Sequence, residues 1–354
     1  MKVLVAMSGG VDSSVAAALC LDAGHEVVGA TMKLWDGPAG ASGGCCSVAD
    51  VEDARRVADQ LGIAHYVFNF TGEFNSWVVD PYVVEHSRGR TPNPCIECNR
   101  HLKFDRFLDR ATSLGFDAIA TGHHARLVRD DRSDRHLLLR GKDPLKDQSY
   151  VLAVLAQHQL RRCLFPIGEM TKEEVRRHAV DIGLKTALKP DSLDLCFISA
   201  TTGRDRFLAS RIDLHPADVV DARTSEVLGT VPAVETITVG QRRGLGRGLG
   251  NGRDGARRYA LEVDVTSRQV RVGSSEDLLT ELQLLDKVCW TSEPPPPGAP
   301  VLAQTSAHGA ALSCSIVSGG VRYLKPERRA APGQTVAIYD GDVVLGSGIA
   351  AGGG

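Results

Sequence analysis

No stretch of this 354-residue sequence approaches the roughly 20 apolar residues that a membrane-spanning helix needs. The opening MKVLVAMSGG has too short an apolar run for a secretory signal, so the expected setting is the cytoplasm, with no membrane partner. A large net charge is also missing: the balance is −2, which excludes a general polycation. An even cysteine count, the mark of a secreted disulfide framework, is missing too, and nine cysteines in a chain of this length read as thiols. There are no repeats of solenoid length. What remains is an ordinary globular composition, 43% hydrophobic and 24% charged, in a chain long enough for two or three domains.

Charge is unevenly spread. Residues 1–60 carry four Lys or Arg against eight acids, whereas residues 240–271 carry eight arginines against Asp254, Glu262 and Asp264. Such a cluster fits a polyanion-binding face or a solvated charged loop, and charge alone does not choose between them.

Up to about residue 203, strand-like and helix-like stretches alternate. Val3–Met7, Val27–Trp35, His65–Phe70 and Ala118–Thr121 read as strands. Helices are expected over Ser14–Ala23, after a Ser47 cap, over Phe74–His86 and over Cys98–Leu114. Thr171-Lys172-Glu173-Glu174 is a capping box that opens another helix, to about Ile182, while Asp36–Gly44 reads as a loop. This alternation predicts an α/β domain with a mainly parallel sheet, its ligand crevice at the carboxyl ends of the strands. Beyond residue 203 helical periodicity fades into short β runs: Ile237–Val239, Tyr259–Val265 and Val270–Val272. After the turn Glu293–Gly298, four more short runs predict a small β-barrel. The expected division is 1–203, 204–273 and 274–354.

Between the first strand and first helix lies Ala6-Met7-Ser8-Gly9-Gly10-Val11-Asp12-Ser13. Glycines let backbone approach a ligand closely, and a helix start offers unpaired N–H groups to an anion. The serine hydroxyls add donors, and Asp12 is placed to hold magnesium on phosphates. No Gly-Lys-Ser/Thr follows, so this is not a Walker loop. Its SGGVDSS resembles the pyrophosphate-binding loop of the N-type ATP pyrophosphatases, adenine nucleotide α-hydrolase-like proteins that cleave ATP between the α and β phosphates.

Two cysteine contexts narrow the resemblance: TPNPCIECN with Cys95 and Cys98, and DSLDLCFIS with Cys196. Taken alone, Cys196 beside Leu195 and Phe197 reads as a core thiol, and Cys98 as a thiol at a helix start, with Arg100 nearby. Together with MKLW, ATGHHAR, LRGKDPLKDQSYVL, LFPIGEMTK, TVGQRRGLG and APGQTVAIYDGD, in order along nearly the whole chain, they resemble the tRNA-specific 2-thiouridylases.

That resemblance implies ATP and Mg2+ as cofactors, with residues 6–13, Met32 and Gly122 binding ATP. The partners it implies are a tRNA with a wobble uridine and a persulfide donor, a cysteine desulfurase or a sulfur relay protein. AMP is transferred to the C2 oxygen of the uridine, sulfur arrives as a persulfide on Cys196, and Cys98 is the nucleophile that leaves a Cys98–Cys196 disulfide. For tRNA it points to His123, Lys146, Asp147, Gln148, Gln241, Arg242, Arg243 and Gln334, with Arg247 close by; on the residues alone, His123 and His124 also suit ordinary strand-end positions.

Two features depart from the family pattern. Many relatives carry an aspartate, a candidate acid/base group, where this chain has Cys95. The aromatic, basic stretch of some relatives' barrels is replaced by Gln-Thr-Ser-Ala-His-Gly-Ala at 304–310. Cys95, Cys98 and Cys196 also make three thiols that permit an iron–sulfur cluster with one open iron site. Cys45 and Cys46 read as incidental, and Cys20, Cys163, Cys289 and Cys314 as small core residues. An amidating synthetase on the same loop would need an ammonia source, and no glutaminase-like region is seen; a nucleotide sensor would need no thiols.

Overall fold

The computed structural model describes residues 1–35, 48–191, 195–198, 203–246 and 257–352. The loop at 36–44, Cys45, Cys46, the Ser47 cap and Arg247 lie outside them. Strand β1 (Lys2–Ala6) leads into helix α1 (Val11–Asp22), and β2 (Glu26–Lys33) is followed by α2 (Val48–Leu61). Then come β3 (His65–Asn69), helical runs over 71–87 and 94–113, β4 (Ala118–Thr121), a hairpin of β5 (Ala125–Asp130) and β6 (Arg135–Arg140), and β7 (Cys163–Leu164). The helix Lys172–Asp181 opens on the expected box: Glu174 N–H donates to Thr171 Oγ1 and Thr171 N–H to Glu174 Oε2, at 3.2 and 2.7 Å.

The parallel sheet has the order β3-β2-β1-β4-β7. Val3, Leu4 and Val5 are fully buried because helices cover both faces. Leu4 faces a cluster with Phe74, Leu102 and Phe107, while Val3 and Val5 pack on Val15, Val57 and Val175. At about 1.5–3 kcal/mol per buried aliphatic side chain, these layers anchor β1. The chain moves from β1 toward β3, then returns to β4 on the other side of β1. This order makes a switch point where the loops after β1 and β4 diverge.

The remaining strands are β8 (Ala217–Asp221), β9 (Val227–Val231), β10 (Tyr259–Asp264) and β11 (Gln269–Gly273), which form a four-stranded sheet, then β12 (Leu279–Trp290), β13 (Pro300–Gln304), β14 (Leu312–Val317), β15 (Gly320–Arg328), β16 (Thr335–Asp340) and β17 (Val343–Ala350). The last six run β12-β15-β14-β13-β16-β17, and pairing of β12 with β17 closes them into a barrel. The β5–β6 hairpin, not read as strands in the sequence, adds onto β17 through Val343 opposite Leu139.

Two expectations are corrected. Ile237–Val239 is not a strand; a 3₁₀ turn at Val234–Thr236 precedes it, and the chain then turns through Gly240 at φ 87°. The Gln241 side chain accepts from Thr238 N–H at 3.1 Å, which holds that turn. Nor does Cys98 begin a helix. Pro94 does, with Asn93 Oδ1 accepting from Cys95 N–H at 3.1 Å, and Cys98 lies one turn further in, where a π-type stretch begins.

Candidate active site

After β1 the chain enters the 6–13 loop with Gly9 at φ 73°, and α1 starts after Gly10 with no side chain capping its first amides. Ser13 Oγ accepts from Ser8 N–H at 3.1 Å and donates to Gly10 O at 3.2 Å, and Ser14 Oγ donates to the same carbonyl at 2.8 Å. The loop is thus braced from within while the uncapped helix start faces the crevice, a geometry suited to phosphate. A Cβ on Gly122, just after β4, would lie 2.6 Å from Asp12 C and Ser13 N, so only glycine lets the β4 loop pack this closely. Met32, at the far end of β2, is nearly buried.

Cationic side chains complete the phosphate end, and sequence reasoning missed three of them, Lys172, Arg176 and Lys189. Lys172 Nζ lies 2.8 Å from both Asp12 carboxylate oxygens and 2.8 Å from Asp191 Oδ1, although the residue is nearly buried. Lys146 and Arg176 also reach Asp191, at 2.7 and 2.8 Å. Lys189 donates to Gly9 O at 3.0 Å and pairs with Asp50 and Asp53 at 2.8 and 2.7 Å. Burial opposes ionisation of Asp12, but hydrogen bonds from His124 and Lys172 outweigh it and hold the carboxyl below its usual range. Asp191 is likewise held at about 2, burial being overcome by Lys146 and Lys172. Lys172 looked in sequence like the solvent-facing first residue of a helix; only its burial and two carboxylate partners mark it out.

The sulfur end is apolar. Cys98 is 7% exposed and belongs to the cluster that holds Met32, Leu34, Phe74 and Phe197, and half-buried Cys196 packs against the same cluster. Phe197 sits edge-on to Phe74, Tyr82 and Phe207, with centroids 5.7, 5.5 and 5.1 Å away. Cys95 is exposed. The helix amides that sequence reasoning assigned to Cys98 therefore serve Cys95, since the end effect fades within the first turn. Arg100 lies toward Glu97, 3.5 Å away. Among the described residues no group of three or more His, Cys, Asp or Glu side chains is arranged to hold a metal ion. The three thiols do not fit a cluster site in this arrangement.

The residues expected to contact RNA divide into two groups. Lys146 and Gln148 abut the phosphate end: Gln148 Oε1 accepts from His124 N–H at 2.9 Å. Asp147 is engaged internally, accepting from Arg140, Gly141 N–H and Ser149 at 2.9–3.0 Å. His123 is buried beside Phe104 and Phe165 and bonded to Thr121 at 2.7 Å; burial pushes its pKa well below the ordinary value, so it is neutral. The second group converges on Thr91, two residues before Asn93. Gln334 Nε2 donates to Thr91 O at 2.7 Å, and Thr91 Oγ1 donates to Thr238 at 3.2 Å. Gln241 Nε2 donates to Arg243 O at 2.8 Å, and Arg242 and Arg243 are partly and fully exposed on that turn. Segments from all three parts of the chain thus meet at the TPNPC segment.

A parallel sheet with an SGGVDS loop at its switch point defines an adenine-nucleotide-binding α/β domain, here joined to a β-barrel. Family comparison agrees: residues 1–200 match the tRNA methyl transferase HUP domain and residues 282–350 the aminomethyltransferase beta-barrel domain. The tRNA-specific 2-thiouridylase MnmA of Mycobacteroides abscessus is 47% identical over 362 residues, covering 99% of each chain. The Thermobifida fusca protein of the same name is 44% identical over 357 residues, 98% of this chain and 94% of that one. This chain belongs to the tRNA-specific 2-thiouridylase family.

Proposed function

We propose that the protein converts the wobble uridine of tRNA to 2-thiouridine, consuming ATP and a persulfide and releasing AMP and pyrophosphate. The observations that support this reading are a phosphate-suited loop bordered by Lys172 and Lys189, and two cysteines that share one apolar cluster, in one α/β domain.

A uridine carbonyl is a poor electrophile because its oxygen leaves poorly. Adenylation of that oxygen makes it a leaving group, and the 6–13 loop takes the departing pyrophosphate. Lys172 and Lys189, already beside the loop, offset the charge that develops there. Asp12 would hold magnesium carried on the phosphates, and the ion would neutralise the same charge. The terminal sulfur of a Cys196 persulfide attacks C2, and AMP departs. Cys98 thiolate next attacks the Cys196 sulfur, forming the Cys98–Cys196 disulfide and leaving the terminal sulfur on the base. Two thiols are oxidised as the linking sulfur is reduced, so a cellular dithiol must restore them. A cysteine desulfurase or relay protein supplies the persulfide.

Residues 1–203 would carry the chemistry, while 204–273 and the barrel of 274–354 bind tRNA, with Arg242 and Arg243 on phosphates. The test incubates protein, ATP, magnesium, bulk tRNA, a dithiol and a persulfide donor (a cysteine desulfurase with cysteine), and analyses nucleosides by mass spectrometry. Formation of 2-thiouridine with tRNA-dependent AMP release is expected; neither product appearing from folded protein and competent tRNA would overturn the proposal.

A further inference from the structure

The helical runs 71–87 and 94–113 each contain a π-type stretch, Asn75–Val79 and Cys98–Arg106. Such widened turns recur at functional sites because they re-aim side chains. Here they bring together Trp77 and His101, whose rings stack with centroids 4.7 Å apart and planes 25° apart. Trp77 keeps 43% of its surface exposed, although a large aromatic is normally buried. Glu97 holds the histidine from below, its Oε2 3.3 Å from His101 Nε2. That carboxylate stays ionised despite burial because His101, Arg100 and Lys287 surround it.

We infer that Trp77, backed by His101, is a stacking platform for an RNA base next to the target uridine. This rests on the proposed tRNA reaction and adds a subsite to it. A base drawn out of a stack leaves its neighbours without a stacking partner. His101 lies on the same π-type stretch that Cys98 opens, three residues further along. An exposed indole stacked on the stretch that carries the sulfur-transfer thiol can restack such a neighbour. Stacking of this kind is indifferent to base identity, since every base offers a π face.

The test measures tRNA binding by filter retention at two salt concentrations, with the wild type, Trp77→Ala, Trp77→Phe and His101→Ala. Trp77→Ala is expected to weaken binding roughly tenfold without changing the salt slope, because no phosphate contact is lost. Trp77→Phe should retain most of the affinity but lose most of the tryptophan fluorescence quenching that tRNA causes, as Trp35 lies within an aromatic cluster and Trp290 packs against the barrel core. ATP affinity should be unchanged in all variants. Wild-type binding by Trp77→Ala, or quenching that persists in Trp77→Phe, would overturn the inference. So would a defect confined to transfer from a protein donor, with tRNA binding intact. If the wild type itself neither binds nor thiolates tRNA, the reaction proposed above fails first and takes this subsite with it.

Discussion

The phosphate end and the sulfur end of the candidate site are built on opposite principles. At the phosphate end, backbone amides and a ladder of charges, Asp12–Lys172–Asp191–Lys146, surround the loop. At the sulfur end, Cys98 and Cys196 lie on a cluster of Phe74, Tyr82, Phe197 and Phe207. Adenylation moves negative charge onto a leaving group, so it needs fixed positive partners. Sulfur transfer needs an activated carbonyl kept from water, so apolar walls suit it.

The contrast predicts separable losses. Cys196→Ser and Cys98→Ala should each lower 2-thiouridine formation by more than about a thousandfold while tRNA-dependent pyrophosphate release survives. An equal fall in both would mean that the ends are one unit; full turnover by both variants would instead favour a synthetase that does not use the thiols. Lys172→Met should reverse the pattern, slowing pyrophosphate release by roughly a hundredfold or more and leaving persulfide loading of Cys196, read by mass spectrometry, intact. Gly122→Ala pushes a methyl group into Asp12 and Ser13 and should weaken ATP binding on the order of thirtyfold by calorimetry, with the thermal midpoint moving only a few degrees. Unaltered ATP affinity would show that the close packing is incidental.

The smallest effect lies outside both ends. His86 is 2% exposed, and burial, the main cause, lowers its pKa from 6.5 to about 4. The unfolded chain therefore binds the proton first as pH falls. Stability is full above pH 6.5 and is lost progressively toward about pH 4, by about 2 kcal/mol at pH 5. His86→Gln should flatten that part of the pH dependence in urea unfolding. An unchanged slope would assign the acid sensitivity to other groups, with buried His123 the next to test.

Much of the phosphate end was legible because its geometry is local. Gly9, Gly10 and the serines act on their own backbone, so strand, loop and helix can be read in order. Lys172 and Lys189 were not legible, since their role comes from Asp12 and Asp50, which are distant in sequence. The start of the Cys98 helix was misplaced for a different reason: the signals were local, Pro94 at the first helical position and the Asn93 side chain accepting from Cys95 N–H, and they were passed over. The β5–β6 hairpin was missed because Arg129–Arg135 is almost wholly charged and hides the alternation. In β12 the outward Leu282 and Leu284 blur the pattern, and this strand changes partner from β15 to β17 midway.

By itself, the sequence determined the parallel-sheet class, the nucleotide loop and the identity of the two cysteine segments, because propensity, turn chemistry and short motifs act over a few residues. Tertiary structure alone decided that Cys98 and Cys196 share one apolar cluster and that Lys172 bridges Asp12 and Asp191. It also decided that Thr91, Thr238 and Gln334 meet before the TPNPC thiols. Apart from Lys172–Asp191, those relations join residues about a hundred or more positions apart, and only packing of the sheet, its helices and the barrel brings them together.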